Sequence, residues 1–181
     1  MAKLKLDDVP TWSEVGEFLD RIRALYRKKE ISLRDFVLMS LYPTTGMKTS
    51  ELLSIRKGDI DFQQGVVRVG QEGDKREVLI MPSILPYLKD HAKDKRAEER
   101  IFGLTRRQAL NINHKYTEMI LGRRIRVASW RHAFAIRLLE TVRDPSICRK
   151  ILGQRSSKGV SAYQQILQRS LKEELIKSIG G

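Results

Sequence analysis

The chain has 181 residues, 35 Lys and Arg against 22 Asp and Glu, a formal net charge of +13 and 41% hydrophobic residues. That size and apolar content support one domain with a true core and exclude a disordered basic tail. Apolar runs such as FVLM at 36–39 fall far short of the roughly 20 residues that cross a bilayer.

The N-terminal MAKLKLDDVP lacks the apolar stretch of a secretory signal. A single cysteine, Cys148, and three scattered histidines exclude an internal disulfide and any zinc spacing. The expectation is a cytoplasmic, nucleoid-associated protein that needs no metal or cofactor and seeks a polyanion, first of all double-stranded DNA. Neither a membrane nor a small-molecule substrate is expected.

Thr11 or Ser13 caps a first helix, with Val15, Phe18, Leu19, Ile22 and Leu25 on one face. Ser32 opens a second, carrying Leu33, Phe36, Val37, Ser40 and Leu41, which is expected to stop at Pro43 because proline disfavours helix in the residue before it. Thr44, Thr45 and Gly46 make a turn, and a third helix over 49–55 ends at Gly58-Asp59. Alternation from Ile60 predicts an antiparallel hairpin, GVVRV at 65–69 and REVLIM at 76–81 around QEGD. Pro82 and Pro86 bracket the start of a short helix, and the mixed charges of 89–100 read as a solvated helix or loop. Helices follow at 105–121, 129–142, 145–153, 159–169 and 170–179. The fold class is mainly α with a small antiparallel β-sheet (α+β), one domain over 1–181 with a C-terminal helix and tail over 164–181.

The charge is unevenly placed. Between Ile101 and Leu139 there are eight Lys or Arg (Arg106, Arg107, Lys115, Arg123, Arg124, Arg126, Arg131, Arg137) and one acid, Glu118. Neutralising acids are nearly absent from this stretch, which suits a phosphate backbone. Arg106, Arg107, Arg123, Arg124, Arg126 and, further on, Lys158 are the candidate DNA-binding residues.

Four segments resemble one family in the right order. LYPTTGMKTSELLSIRKGDIDF at 41–62 resembles the first signature box of the tyrosine recombinases and phage-type integrases, and GVVRVGQEGDKREVLIMP at 65–82 resembles the hairpin that follows it. SWRHAFAIRLLE at 129–140 resembles the family's RHTFAT box. ILGQRSSKGVSAYQQI at 151–166 resembles its last box, with Tyr163 nine residues after Gln154. The resemblance covers the C-terminal catalytic domain, roughly Trp12 to Ile179, and the family's N-terminal DNA-clamping domain is expected to be absent.

The resemblance implies site-specific recombination or integration of DNA, in which a tyrosine hydroxyl attacks the scissile phosphate and forms a 3′-phosphotyrosine. Such chemistry needs cationic donors on the phosphate, an acid for the leaving hydroxyl and a base near the tyrosine. By position, Tyr163 is the nucleophile and Arg131 a phosphate clamp. Lys48 stands in the first arginine's place, keeping the charge without the two-pronged fork. Gln154 replaces the last-box His or Trp and can still donate one hydrogen bond. Glu72 falls where the hairpin lysine is expected, with Lys75 as the substitute acid, and Ala128 takes the place of a histidine. His132 lies about 100° round the helix from Arg131 and is expected to be a packed or surface histidine. These departures leave an alternative open: a catalytically inactive DNA-binding relative acting as an architectural or regulatory partner of an active integrase. The last helix sets Leu167, Leu171, Leu175 and Ile179 in a stripe at spacing four, which serves either its own core or a homo-oligomer on DNA.

Overall fold

The computed structural model describes residues 8–71, 73, 75–154, 156 and 158–179, with side chains as far as 168. Their order is α1 (Trp12–Arg27), α2 (Leu33–Thr45), α3 (Thr49–Ser54), β1 (Ile60–Asp61), β2 (Val66–Val69), β3 (Arg76–Leu79), α4 (Leu85–Ala92), α5 (Arg106–Leu121), α6 (Val127–Val142), α7 (Pro145–Leu152) and α8 (Lys158–Ile179).

Helix α1 starts from Thr11, where two orphan N–H groups are satisfied reciprocally. Thr11 Oγ1 accepts from the Glu14 N–H at 3.2 Å, and Glu14 Oε2 accepts from the Thr11 N–H at 2.8 Å. Its buried face, Val15, Phe18 and Ile22, packs on α2. In α2 every residue from Phe36 to Pro43 is buried, as befits a helix that is apolar on all sides. It packs on α1, α4 and α6 and so forms the centre of the molecule.

The expected stop at Pro43 does not occur. α2 runs on to Thr45 and ends at Gly46, whose φ of 62° is left-handed. A proline in the last turn forfeits one backbone hydrogen bond, and here the ring is buried while the Thr44 and Thr45 hydroxyls bond the Ser40 and Leu41 carbonyls at 2.7 Å each.

The predicted hairpin is present as β2 and β3, paired Val67 to Val78, and β1 adds a third antiparallel strand through Ile60 to Val67. Two residues are too few for alternation to announce a strand. Val67, Val69 and Val78 are buried while Arg68, Glu77 and Leu79 are exposed, the period of two that a half-covered sheet requires. Residues 89–100 divide, with α4 ending at Ala92 and turns beyond it, tied down by Lys57 Nζ on the Lys93 and Lys95 carbonyls at 2.9 and 2.7 Å. The two helices expected over 159–179 are one, α8. No proline and no glycine interrupts the sequence after Gly159 until Gly180.

Two cores result. The larger gathers α1 to α6 and the sheet, and a smaller one joins Ala135, Leu139, Cys148, Leu152, Val160 and Tyr163 from α6, α7 and α8. α6 serves both, with Trp130 and Ala133 in the first and Ala135 and Leu139 in the second. Its start is held by α5. Asn113 accepts from Trp130 Nε1 at 2.8 Å and donates to the Ile125 carbonyl at 2.6 Å, and Thr117, one turn on, accepts from the Ile125 N–H at 3.2 Å. Asn113→Ala therefore strands two buried polar groups, and we expect urea denaturation to show a loss of about 2 kcal/mol or more.

Candidate active site

Arg131 and His132 are neighbours on α6 and face different partners. The Arg131 guanidinium donates from Nη1 to the Gly46 carbonyl and from Nη2 to the Leu152 carbonyl at 2.7 Å. A guanidinium carries five N–H donors, so three have no hydrogen-bond partner among the described residues. The Phe134 ring packs so closely on Gly46 that a Cβ there would run into it.

His132 turns toward α8. Its Nδ1 lies 2.8 Å from the Tyr163 hydroxyl, which corrects the expectation of an uninvolved histidine. The 100° rotation from Arg131 is real, but Tyr163 arrives from another helix on the side to which that rotation points. Burial, then the charges of Arg131 and Arg126, hold the His132 imidazole below its ordinary 6.5. It is neutral at neutral pH, and with the ring proton on Nε2 its Nδ1 accepts from Tyr163. Tyr163 is 5% exposed, with its ring in the smaller core. Burial raises its hydroxyl pKa, and the Arg131 charge draws it part of the way back.

An ion pair unanticipated in the sequence supports this arrangement. Arg76, at the start of β3, grips both Glu51 carboxylate oxygens, at 2.8 and 3.1 Å, and donates from Nε to the Ile151 carbonyl at 2.9 Å. Glu51 Oε2 also accepts the Lys48 N–H at 2.7 Å and stands 3.9 Å from Arg131. Burial works against the charged Glu51 carboxyl, yet its hydrogen bonds from Arg76 and Lys48, with the charges of Arg76 and Arg131, hold it below the ordinary carboxylate range. Two arginines thus meet the last carbonyls of α7, the negative end of a helix, and fix the exit of that helix toward Gln154. Glu51 falls within the 41–62 segment and Arg76 directly after Lys75, but nothing in their spacing distinguishes them from surface charges.

The other expected residues are placed as follows. Lys48 is exposed at the head of α3, Lys75 is exposed just before β3, and Ala128 is exposed on the first turn of α6. Glu72 lies outside the described residues. Gln154 follows α7, half-buried, and its Oε1 is enclosed with no hydrogen-bond partner among the described residues. Arg106, Arg107 and Lys158 are exposed at helix starts.

The basic stretch proves less bare of acids than its sequence. Arg123 pairs with Glu14 at 2.7 Å, Arg124 with Glu118 at 2.9 Å, and Arg126 with Asp8 at 2.7 Å. Two of these acids come from the N-terminal region, which a local charge count does not see. The Arg124 and Arg126 pairs are largely exposed, hence weak, while the Arg123–Glu14 pair is half-buried. Arg106 and Arg107 have no ion pair among the described residues.

The matching of sequence families decides whose geometry this is: the description "Phage integrase family" fits residues 13–169. The chain belongs to the phage integrase family. Among curated phage integrase relatives, the tyrosine recombinase XerA of Saccharolobus solfataricus is 27% identical over 148 residues, covering 81% of this chain and 50% of that protein. The crystal structure of XerH site-specific recombinase bound to palindromic difH substrate, a post-cleavage complex, is 21% identical with a TM-score of 0.78, covering 95% of this chain and 53% of that one. XerA recombinase, as a crystal structure, has a TM-score of 0.73 at 16% identity over 98% of this chain and 66% of that one. These structures share the fold, mostly helical with a small antiparallel sheet. The chain spans 50% and 47% of two of the curated relatives it matches.

Proposed function

We infer that this domain binds double-stranded DNA and carries out site-specific recombination or integration through a 3′-phosphotyrosine on Tyr163. The observation that carries the reading is the Tyr163 hydroxyl at 2.8 Å from His132 Nδ1, with Arg131 close enough for its charge to act on both groups. As His132 takes the phenolic proton, the Tyr163 oxygen bonds to the scissile phosphorus and the bond from phosphorus to the 5′ oxygen breaks. The leaving oxygen takes a proton from Lys75, whose exposed position and flexible stem let it reach across the hairpin. Attack by a 5′-hydroxyl reverses the step, so no external energy is consumed. Arg131, with three spare N–H donors, Lys48 and the Gln154 amide offset the charge that builds on the non-bridging oxygens.

Arg106, Arg107, Arg123, Arg124, Arg126 and Lys158 carry the flanking duplex in this reading. A homo-oligomer on DNA joined through the C-terminal helix belongs to it as well, supported by the four-residue spacing of Leu167, Leu171, Leu175 and Ile179. That XerH was captured in a post-cleavage complex supports the same chemistry for a domain of this fold. The test is a nicked suicide duplex carrying the protein's own site, resolved on a denaturing gel. A covalent adduct is expected. Tight duplex binding with no adduct would overturn the catalytic reading and leave an architectural DNA-binding role.

A further inference from the structure

Arg76 and Arg131 hold the end of α7 from two sides. Arg76 bonds the Ile151 carbonyl, Arg131 the Leu152 carbonyl, and both guanidinium groups face the single carboxylate of Glu51. The sharing is unequal. Arg76 takes Oε1 at 2.8 Å and Oε2 at 3.1 Å, whereas Arg131 stands 3.9 Å from Oε2, beyond hydrogen-bond reach, and gives its bonds to the Gly46 and Leu152 carbonyls. Arg76 is also fixed in place: its side chain lies on Gly153, where an added Cβ would meet the guanidinium at 2.7 Å, and its Nε is tied to Ile151 at 2.9 Å. All three of its nitrogens bond within the protein. Without Arg76, Glu51 has one other cation among its described ion pairs, Arg131. A buried carboxylate deprived of its partner is strongly unfavourable, and closing the gap to Arg131 relieves it. That closure would turn the phosphate clamp into half of an internal ion pair.

We propose that Arg76 is a positioning residue: by holding both Glu51 oxygens it keeps this carboxylate off Arg131 and leaves the Arg131 guanidinium to the scissile phosphate. The inference rests on the assignment of Arg131 to that phosphate in the reading above and adds the group that keeps it free. The task calls for an arginine, since a planar guanidinium grips both oxygens of one carboxylate while an ammonium acts as a point charge. Arg76 acts at one remove. Its loss is felt through the charge of Glu51 and not through a lost DNA contact.

The test removes that charge. Arg76→Met keeps the stem without the guanidinium, and Arg76→Lys is the milder variant should the first not fold. Each is made alone and together with Glu51→Gln, and folding is checked by circular dichroism. Two quantities are read: the rate of adduct formation on the nicked suicide duplex, and the slope of log affinity against log salt for one fixed duplex, where each neutralised phosphate counts about 0.9. Arg76→Met is expected to slow the adduct by about 10²-fold, the loss of one transition-state donor. It is also expected to lower the slope by about 0.9, as Arg131 leaves its phosphate. Adding Glu51→Gln restores most of both, because no carboxylate remains to capture Arg131 and neither buried charge is orphaned. Arg76→Lys follows the same pattern at smaller amplitude. A double variant no faster than Arg76→Met, with its slope still reduced, would overturn the proposal, since an Arg76 that merely braced the fold or touched DNA gains nothing from the loss of Glu51. A single Arg76→Met variant indistinguishable from the wild type would overturn it too. If the wild type forms no adduct while the slopes follow this pattern, the catalytic reading falls and the restraint of Glu51 by Arg76 stands. A wild type with no salt-dependent duplex binding would overturn the DNA-binding reading and the proposal with it.

Discussion

We expect Tyr163→Phe to abolish the covalent adduct on a nicked duplex and to leave duplex affinity unchanged, because on the proposed reading the substitution removes the attacking oxygen while keeping the ring that sits in the smaller core. His132→Gln discriminates further. It preserves a polar side chain against Tyr163 but no proton acceptor of imidazole strength, and loss of a positioned general base slows adduct formation by about 10²- to 10⁴-fold. The pH profile separates this role from packing. His132 titrates below its ordinary 6.5, so the wild-type rate is flat through neutrality and falls only as the pH drops through that lowered value, and the limb disappears in the glutamine variant. The same depression makes the fold lose stability as the pH falls below the ordinary imidazole range, since the unfolded chain then binds the extra proton first. A glutamine variant that kept the wild-type rate and the acid limb would remove His132 from the chemistry.

Glu51→Ala destabilises the domain by about 3 to 5 kcal/mol, the cost of leaving buried charges without their partner. Side-chain exposures of 13% for Arg76 and Glu51 and 12% for Arg131 put this pair outside the range of surface salt bridges. Urea denaturation at neutral pH measures the loss. An effect below about 1 kcal/mol would mean that water screens the pair as it does an exposed one. Acid makes the same point on the unmutated protein. The folded pKa of Glu51 is depressed, so its contribution is full above the ordinary carboxylate value and is lost as the pH falls through the folded one. Glu51→Gln keeps the shape without the charge and is expected to fall between alanine and the wild type.

The elements that were legible in the sequence are those whose information is local. Thr11 and Glu14 define a cap within four residues, and GVVRV alternates within five. β1 was invisible because its two residues form a strand only when β2 lies alongside. The helix continues through Pro43 because the rule for proline concerns backbone sterics, which burial of its ring and two threonine hydroxyls outweighed. Residue order likewise singled out Tyr163 and Arg131, through their places in the matching boxes, and the Arg131 charge acts on the Tyr163 hydroxyl.

The sequence alone therefore determined a basic, mainly helical recombinase-like domain and the position of its tyrosine. Only the tertiary structure decided what that tyrosine touches. His132 is 31 residues from Tyr163 and Arg76 is 25 from Glu51, separations at which no periodicity links two side chains. The same holds for the charge. The excess over 101–139 is a property of composition, but whether each cation is open to a phosphate depends on acids such as Glu14 and Asp8 that folding brings from the other end of the chain. Coulomb interactions act over ångströms in space, whatever the distance in sequence.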